Sequence, residues 1–158
     1  MARPMHRMPV DMLCFAVYSA AHAFNRAYRP LLQPHGLTYP QYLVLLLLWA
    51  EDGRTVSEIG APLHLDSGTL TPLLRRLESA GHIRRERDTR DERQVRIWLT
   101  EKGRALEGDL ADVPSAIGCA VGLDSDELRS LTGSMRELGR TLRELSGDAV
   151  REDDDGRL

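Results

Sequence analysis

The sequence predicts a mainly α-helical chain that carries one small β-hairpin. Apolar residues recur at steps of three and four along most of its length, as in Leu13, Val17, Ala20, Phe24, Ala27 and Leu31, which lines one helical face. The period falls to two in a single stretch, where Ile83, Arg85 and Arg87 alternate with Arg84 and Glu86. Val95, Ile97 and Leu99 then alternate with Arg96 and Trp98. The polar segment Asp88-Thr89-Arg90-Asp91-Glu92-Arg93 lies between the two runs, so they read as strands of one hairpin with a charged tip.

The elements follow in order. Residues 11–32 read as an amphipathic helix with Asp11 as its N-cap. Pro34, His35 and Gly36 stop it. Thr38 caps the next helix, and proline at position 40 loses no hydrogen bond that a first turn needs. Residues 41–50 are apolar nearly all round and predict the buried core helix. Glu51, Asp52 and Gly53 turn the chain. A short helix near residues 56–64 follows, then a corner at Asp66, Ser67 and Gly68. Leu70, Leu73, Leu74 and Leu77 mark another helix, which ends at Ala80-Gly81. Pro72 in its early part places the first turn near Thr69.

Beyond the hairpin, Thr100 caps a helix whose face carries Leu106, Leu110, Val113 and Ile117, with Pro114 expected to bend it. The last helix starts after Asp124 or Ser125. Its Leu128, Leu131, Met135, Leu138, Leu142 and Leu145 form a seam like a coiled-coil edge. Gly133 and Gly139 weaken that helix. Residues 147–158, with Glu152, Asp153, Asp154 and Asp155, read as a disordered acidic tail.

Composition bounds the function. With 158 residues, 42% hydrophobic and 28% charged, the chain is one globular protomer. The longest apolar run, Tyr42 to Ala50, is too short for a membrane helix, which takes about 20 residues. Arg3, His6 and Arg7 precede no secretory h-region. Two cysteines exclude a disulfide-rich scaffold and a dense thiolate metal site. His22, His35, His64 and His82 show no ligand spacing, and no glycine-rich phosphate loop occurs. Neither cofactor nor metal is expected, and a reducing cytoplasm is the expected compartment.

The net charge of -3 conceals an uneven distribution. Residues 66–96 hold eight arginines against six acids, a local excess of +2, and the local field decides whether a surface meets phosphate. Two short helices joined by a capped corner, followed by a basic hairpin, make a winged helix-turn-helix. Ser67, Thr71 and Arg75 fall at steps of four on the outer face of the second helix. Thr69, Pro72 and Arg76 join them as candidates for contact with a major groove. Arg87, Arg90 and Arg93 offer guanidiniums to a minor groove or backbone. Asp88, Asp91 and Glu92 stand close enough to pair with Arg90 or Arg93 and shape the loop. The same pattern also suits a winged helix that binds protein.

The run Asp66-Ser67-Gly68-Thr69-Leu70-Thr71-Pro72-Leu73-Leu74, followed by Arg75-Arg76-Leu77-Glu78 and by Asp91-Glu92-Arg93-Gln94-Val95, resembles the MarR family of dimeric winged-helix repressors. Leu13-Cys14-Phe15-Ala16 with Tyr18, Ala27-Tyr28-Arg29-Pro30-Leu31-Leu32 and Leu37-Thr38-Tyr39-Pro40-Gln41-Tyr42-Leu43 resemble its organic-hydroperoxide-sensing branch, the OhrR type. The resemblance runs from about residue 12 to the last helix.

On the residues alone, Cys14 reads as a small core hydrophobe before it reads as a reactive thiol. Its place in a helix's first turn favours a thiolate, while Asp11 opposes one as a like charge. Tyr28 and Tyr39 have no evident packing role, and a phenol can donate a hydrogen bond to a thiolate. The resemblance implies more. Cys14 is the peroxide-reactive thiol, hydrogen-bonded by Tyr28 and Tyr39, one of them from the other subunit. The pocket is otherwise apolar, with Phe15, Val17 and Tyr18 as further candidates for its lining. Cys119 occupies the place of the resolving cysteine of the two-cysteine subtype. The expected sequence is oxidation of Cys14 to sulfenic acid, an intersubunit disulfide to Cys119, and release of pseudo-palindromic operator DNA.

Residues 11–34 and 101–146 are the expected dimerisation helices, and 38–99 the winged helix-turn-helix. No enzymatic activity is expected. Three alternatives stand beside this reading: a MarR-type repressor induced by a small ligand with incidental cysteines, a thiol peroxidase using Cys14, and a helical interaction module built on the final seam.

Overall fold

The computed structural model describes residues 8–89, 91 and 93–146. The acidic tail, Arg90 and Glu92 lie outside them. The helices are α1 (Leu13–Leu32), α2 (Tyr39–Ala50), α3 (Val56–Leu63), α4 (Ser67–Ser79), α5 (Glu101–Asp109), α6 (Val113–Val121) and α7 (Ser125–Ser146). The strands are β1 (Arg54–Thr55), β2 (Ile83–Arg87) and β3 (Val95–Leu99). The fold is the mainly helical one expected, with a winged helix-turn-helix at residues 54–99. The chain divides into two compact units after Ile117, inside α6. No described helix is long and apolar enough to cross a membrane.

In the first unit α2 is the core. Tyr42, Val44, Leu45 and Leu48 are buried there, although Leu46 stays exposed. Thr38 caps α2 together with Gln41, whose side chain accepts from the Thr38 N–H at 2.8 Å. Ile59 of α3, Leu70, Leu74 and Leu77 of α4, and Ile83, Ile97 and Leu99 of the sheet complete the interior.

The hairpin gains a third strand. β3 is central, pairing antiparallel with β2 (Ile83 opposite Leu99) and with β1 (Arg54 opposite Ile97). β1 has two residues, too few to show a period in sequence. It is fixed from outside. Asp52 Oδ1 accepts from the N–H groups of Gly53 and Leu99, both at 2.9 Å, and its Oδ2 accepts from Arg104 at 2.7 Å. Gly53 has a φ of +74°, and a Cβ there would stand 2.4 Å from the Trp98 ring. Only glycine meets both conditions.

Three local expectations are corrected. The N-cap of α1 is Met12, not Asp11, which lies in a 3-10 turn over Pro9–Asp11, and no side chain caps the helix. Residues 101–121 are two helices rather than one bent helix, because Pro114 has no N–H to continue α5 and sits instead in the first turn of α6. α4 starts at Ser67 rather than near Thr69, capped by Asp66 through a 2.7 Å bond from the Thr69 N–H, and keeps Pro72 inside it.

α1 is apolar on one face yet buries only Leu32, leaving Leu13, Val17 and Phe24 exposed. In the second unit, α7 starts from Asp124, which accepts from the Glu127 N–H at 2.9 Å. Leu128, Leu131, Met135, Leu142 and Leu145 of its seam are likewise exposed.

Candidate nucleic-acid interface and thiol site

The recognition face is made by burying its opposite side. Leu70, Leu74 and Leu77 anchor α4, so Ser67, Thr69, Pro72, Arg75 and Arg76 are left exposed and Thr71 half-buried. Hydroxyls and two guanidiniums thus share one helical surface. Asp66 holds its position by accepting from the Thr69 N–H, and that bond lowers its carboxyl below the ordinary range. The preceding helix α3 is fixed by a reciprocal cap. Thr55 Oγ1 accepts from the Glu58 N–H at 3.3 Å, and Glu58 accepts from the Thr55 N–H at 2.7 Å. That bond keeps the Glu58 carboxylate charged to lower pH than usual.

On the wing, Arg87 and Arg93 are exposed. Asp88, expected near Arg90 or Arg93, is buried and pairs with Arg96 Nε; its pairing with Arg90 lies outside the described residues. Arg96 also donates to the Gly53 carbonyl at 2.8 Å. It therefore ties the wing to the turn after α2 and is not among the exposed cations. The signal for it lay in the alternation, which puts Arg96 at the centre of β3 rather than at the tip. Asp91 shapes the loop by accepting from the Arg93 N–H at 3.0 Å. Arg84 lies 5.7 Å over the Trp98 ring and pairs with Glu86.

Cys14 is a free, exposed thiol in the first turn of α1. Tyr28 and Tyr39 do have a packing role, contrary to the sequence reading. Their rings stack at 4.4 Å, and Tyr42 packs on Tyr28 at 6.1 Å. Burial raises the Tyr28 phenol, with Tyr39 and Tyr42 adding to it, and burial likewise raises Tyr39. Both phenols stay protonated and so remain hydrogen-bond donors. Cys14 and Tyr28 are 14 positions apart on one helix, or about 21 Å at a rise of ~1.5 Å per residue. Neither phenol is brought to the thiol of its own chain. Cys119 is exposed in α6, within the second unit. Among the described residues no cluster of His, Cys, Asp or Glu is arranged to hold a metal.

The comparisons match this geometry. The family model described as "Transcriptional regulator SarA/Rot" matches residues 26–110, which include Tyr28, Tyr39 and the whole winged helix but neither cysteine. The HTH-type transcriptional regulator TtmR of Methylorubrum extorquens (strain PA1) is 58% identical over 137 residues, covering 87% of this chain and 70% of that protein. The organic hydroperoxide resistance transcriptional regulator of Bacillus subtilis (strain 168) is 42% identical over 137 residues, covering 87% of this chain and 93% of that protein. AbfR of Staphylococcus epidermidis, solved reduced and bound to DNA, has a TM-score of 0.74 at 38% identity, over 86% of this chain and 93% of that one. Its disulfide form has a TM-score of 0.58 at 38% identity, over 87% and 92%. An exposed hydroxyl-and-arginine face on α4, a basic wing pinned by Arg96, and these likenesses over most of the sequence together place the chain in the SarA/Rot/MarR-type family of winged-helix transcriptional regulators.

Proposed function

We propose that this regulator is a homodimeric, peroxide-sensing repressor that uses Cys14 as its sensor. The observation that carries the reading is an exposed thiol at the head of α1, in a chain that also holds two protonated phenols side by side. The relatives support it: one is named for organic hydroperoxide resistance, and another was solved in reduced, DNA-bound and in disulfide forms.

The α1 spacing makes the dimer part of the mechanism. A thiol about 21 Å from its own Tyr28 along the helix meets Tyr28 and Tyr39 only across an interface, where both arrive together from a second copy; Tyr18, one turn along α1, is the phenol nearest it in its own chain. The thiolate attacks the terminal oxygen of an organic hydroperoxide, the O–O bond breaks, and the alkoxide takes up a proton and leaves as the alcohol. Sulfur becomes sulfenic acid. The Cys119 thiol of the other subunit then displaces water to form the disulfide. Rotating two recognition helices out of register with major grooves about 34 Å apart releases both half-sites together. Ser67, Thr69, Thr71, Pro72, Arg75 and Arg76 read the major groove, and Arg87, Arg90 and Arg93 meet the minor groove or phosphates. The protein consumes one peroxide per thiol and does not turn over.

The test is a mobility-shift titration of reduced protein on its operator, repeated after an alkyl hydroperoxide and again after dithiothreitol. Binding, loss and recovery are expected, with Cys14→Ser refractory to peroxide. A Cys14→Ser protein that still releases DNA on oxidation refutes the reading. For the disulfide, a dimer-sized band on a non-reducing gel must appear with peroxide and vanish in Cys119→Ser.

A further inference from the structure

We propose that the groove beside Tyr39 selects hydroperoxides that carry a carboxylate, and that Arg29 is the residue that reads it. This rests on the peroxide-sensing reading and names its substrate class. The groove runs between the C-terminal half of α1 and the start of α2, is open to solvent on one side and measures about 510 Å³, within the range that takes a small-molecule ligand. Leu37, Pro40 and the Tyr39 ring give it an apolar wall, and Asn25, Arg29 and Gln33 give it a polar one. No carboxylate lines it.

Arg29 is the arginine among the residues that line this groove. Arg54, Arg96 and Arg104 each hold a carboxylate. The Arg29 guanidinium has no ion pair or side-chain hydrogen bond among the described residues, and it stands exposed at the groove. A guanidinium with both edges available grips a carboxylate through two parallel N–H bonds. An apolar tail attached to that carboxylate then has Leu37, Pro40 and Tyr39 to lie against. Tyr39 also stacks on Tyr28 at 4.4 Å. A molecule anchored at Arg29 therefore lies beside the phenol pair that the sensing step uses.

The chemistry is unchanged by the anchor. The Cys14 thiolate of the second copy takes the terminal peroxide oxygen and is oxidised by two electrons. The O–O bond breaks, and the released alkoxide gains a proton, so a hydroperoxy acid leaves as the hydroxy acid. Arg29 acts on residence in the groove, so its effect is on selectivity between substrates that differ only in charge.

The experiment compares linoleic acid hydroperoxide with its methyl ester, below micellar concentration, in single-turnover loss of the Cys14 thiol of the reduced full-length protein. The acid is expected to react about tenfold faster at subsaturating concentration, the effect of one charge-assisted contact. Arg29→Gln should bring the ratio near unity, and Arg29→Lys should leave an intermediate value. Equal rates in the native protein, or a preference that survives Arg29→Gln, overturn the proposal and leave peroxide sensing intact. If neither compound oxidises Cys14, the sensing reading itself fails, and calorimetry still decides the site. Decanoate should bind Cys14→Ser protein at least tenfold more tightly than 1-decanol, and Arg29→Gln should remove the difference. Equal affinities refute the groove's selectivity. Weaker operator binding by Arg29→Gln with an unchanged acid-to-ester ratio makes Arg29 a phosphate contact and also ends the proposal.

Discussion

Tyr28 and Tyr39 keep their protons because a phenolate at their stacked rings would be poorly solvated, and at Tyr28 the neighbouring Tyr39 and Tyr42 add to that penalty. A phenol that stays neutral donates to a thiolate over the whole physiological range, which is what a sensor needs of its hydrogen-bonding partner. Tyr28→Phe and Tyr39→Phe keep the ring stacking and remove only the donor. Each should slow Cys14 oxidation about tenfold, given ~1.5 kcal/mol for a hydrogen bond to a charged group, as followed by stopped-flow thiol titration. Rates unaltered in both variants would remove the tyrosines from the chemistry. Arg96 shows how a charge of the same type takes a different task. Its guanidinium joins Asp88 to the Gly53 carbonyl. Because Arg96 is more than a third exposed, solvent screening limits the pair, and Arg96→Gln should cost only about 1 kcal/mol, read in chemical denaturation. Arg93→Gln should leave the denaturation midpoint in place and instead shallow the salt dependence of DNA binding by about one counterion.

Side-chain hydrogen bonds tie the elements together where α4 hands the chain to β2 and β3 hands it to α5. The Thr100 hydroxyl donates to the Gly81 carbonyl at 2.6 Å, Lys102 Nζ donates to Ala80 at 2.7 Å, and Trp49 donates to the Gly103 carbonyl at 2.9 Å. A Cβ on Gly103 would fall 2.0 Å from the His82 carbonyl oxygen, a backbone atom with no room to withdraw. Gly103→Ala should therefore destabilise by roughly 1–3 kcal/mol, the usual range for overpacking, whereas Gly108→Ala, which meets open space, should not. His82 at this junction is buried, and its Nδ1 has no hydrogen-bond partner. Burial foremost, then Lys102 and His35, lower its affinity for a proton. The unfolded chain binds that proton more readily, so the stability conferred by neutral His82 is present above pH ~6.5 and is lost as the pH falls toward the folded value. Thermal midpoints measured from pH 7.5 to 5 should fall, and His82→Phe should flatten that slope. These contacts also mark the limit of what the sequence makes legible. Leucine spacing places α4, and Thr100 is visible as a cap, because helix period and capping are local. The strand at Arg54–Thr55 is set by partners distant in sequence, and the Asp88–Arg96 pair by the register of the hairpin. The two tyrosines were found by type and neighbouring motif. Their stacking, and their distance from Cys14 along α1, follow only from the fold.

At the scale of the molecule, the apolar faces of α1 and α7 have no cover. Leu13, Val17 and Phe24 are exposed in the first unit, and Leu131, Met135 and Leu142 in the second. A seam of several such residues is larger than a lone surface leucine requires and is characteristic of a face that another chain buries. A second copy supplies a matching seam by symmetry, and on the proposed reading it also brings Tyr28 and Tyr39 to Cys14. Sedimentation should accordingly give a dimer of this 158-residue chain at micromolar concentration. Leu131→Glu combined with Met135→Glu puts two charges into each seam where desolvation opposes them, and should yield monomers with native helix content. The dissociated protein keeps its recognition face, so single half-site contacts persist, but the two wings no longer share one encounter with DNA. Losing that effective concentration should weaken operator binding by about 10²–10⁴-fold, and peroxide should no longer change what binding is left. If the double variant remains dimeric and redox-responsive, the seam of α7 is not the subunit contact, and the coupling of thiol to DNA must run through α1 alone.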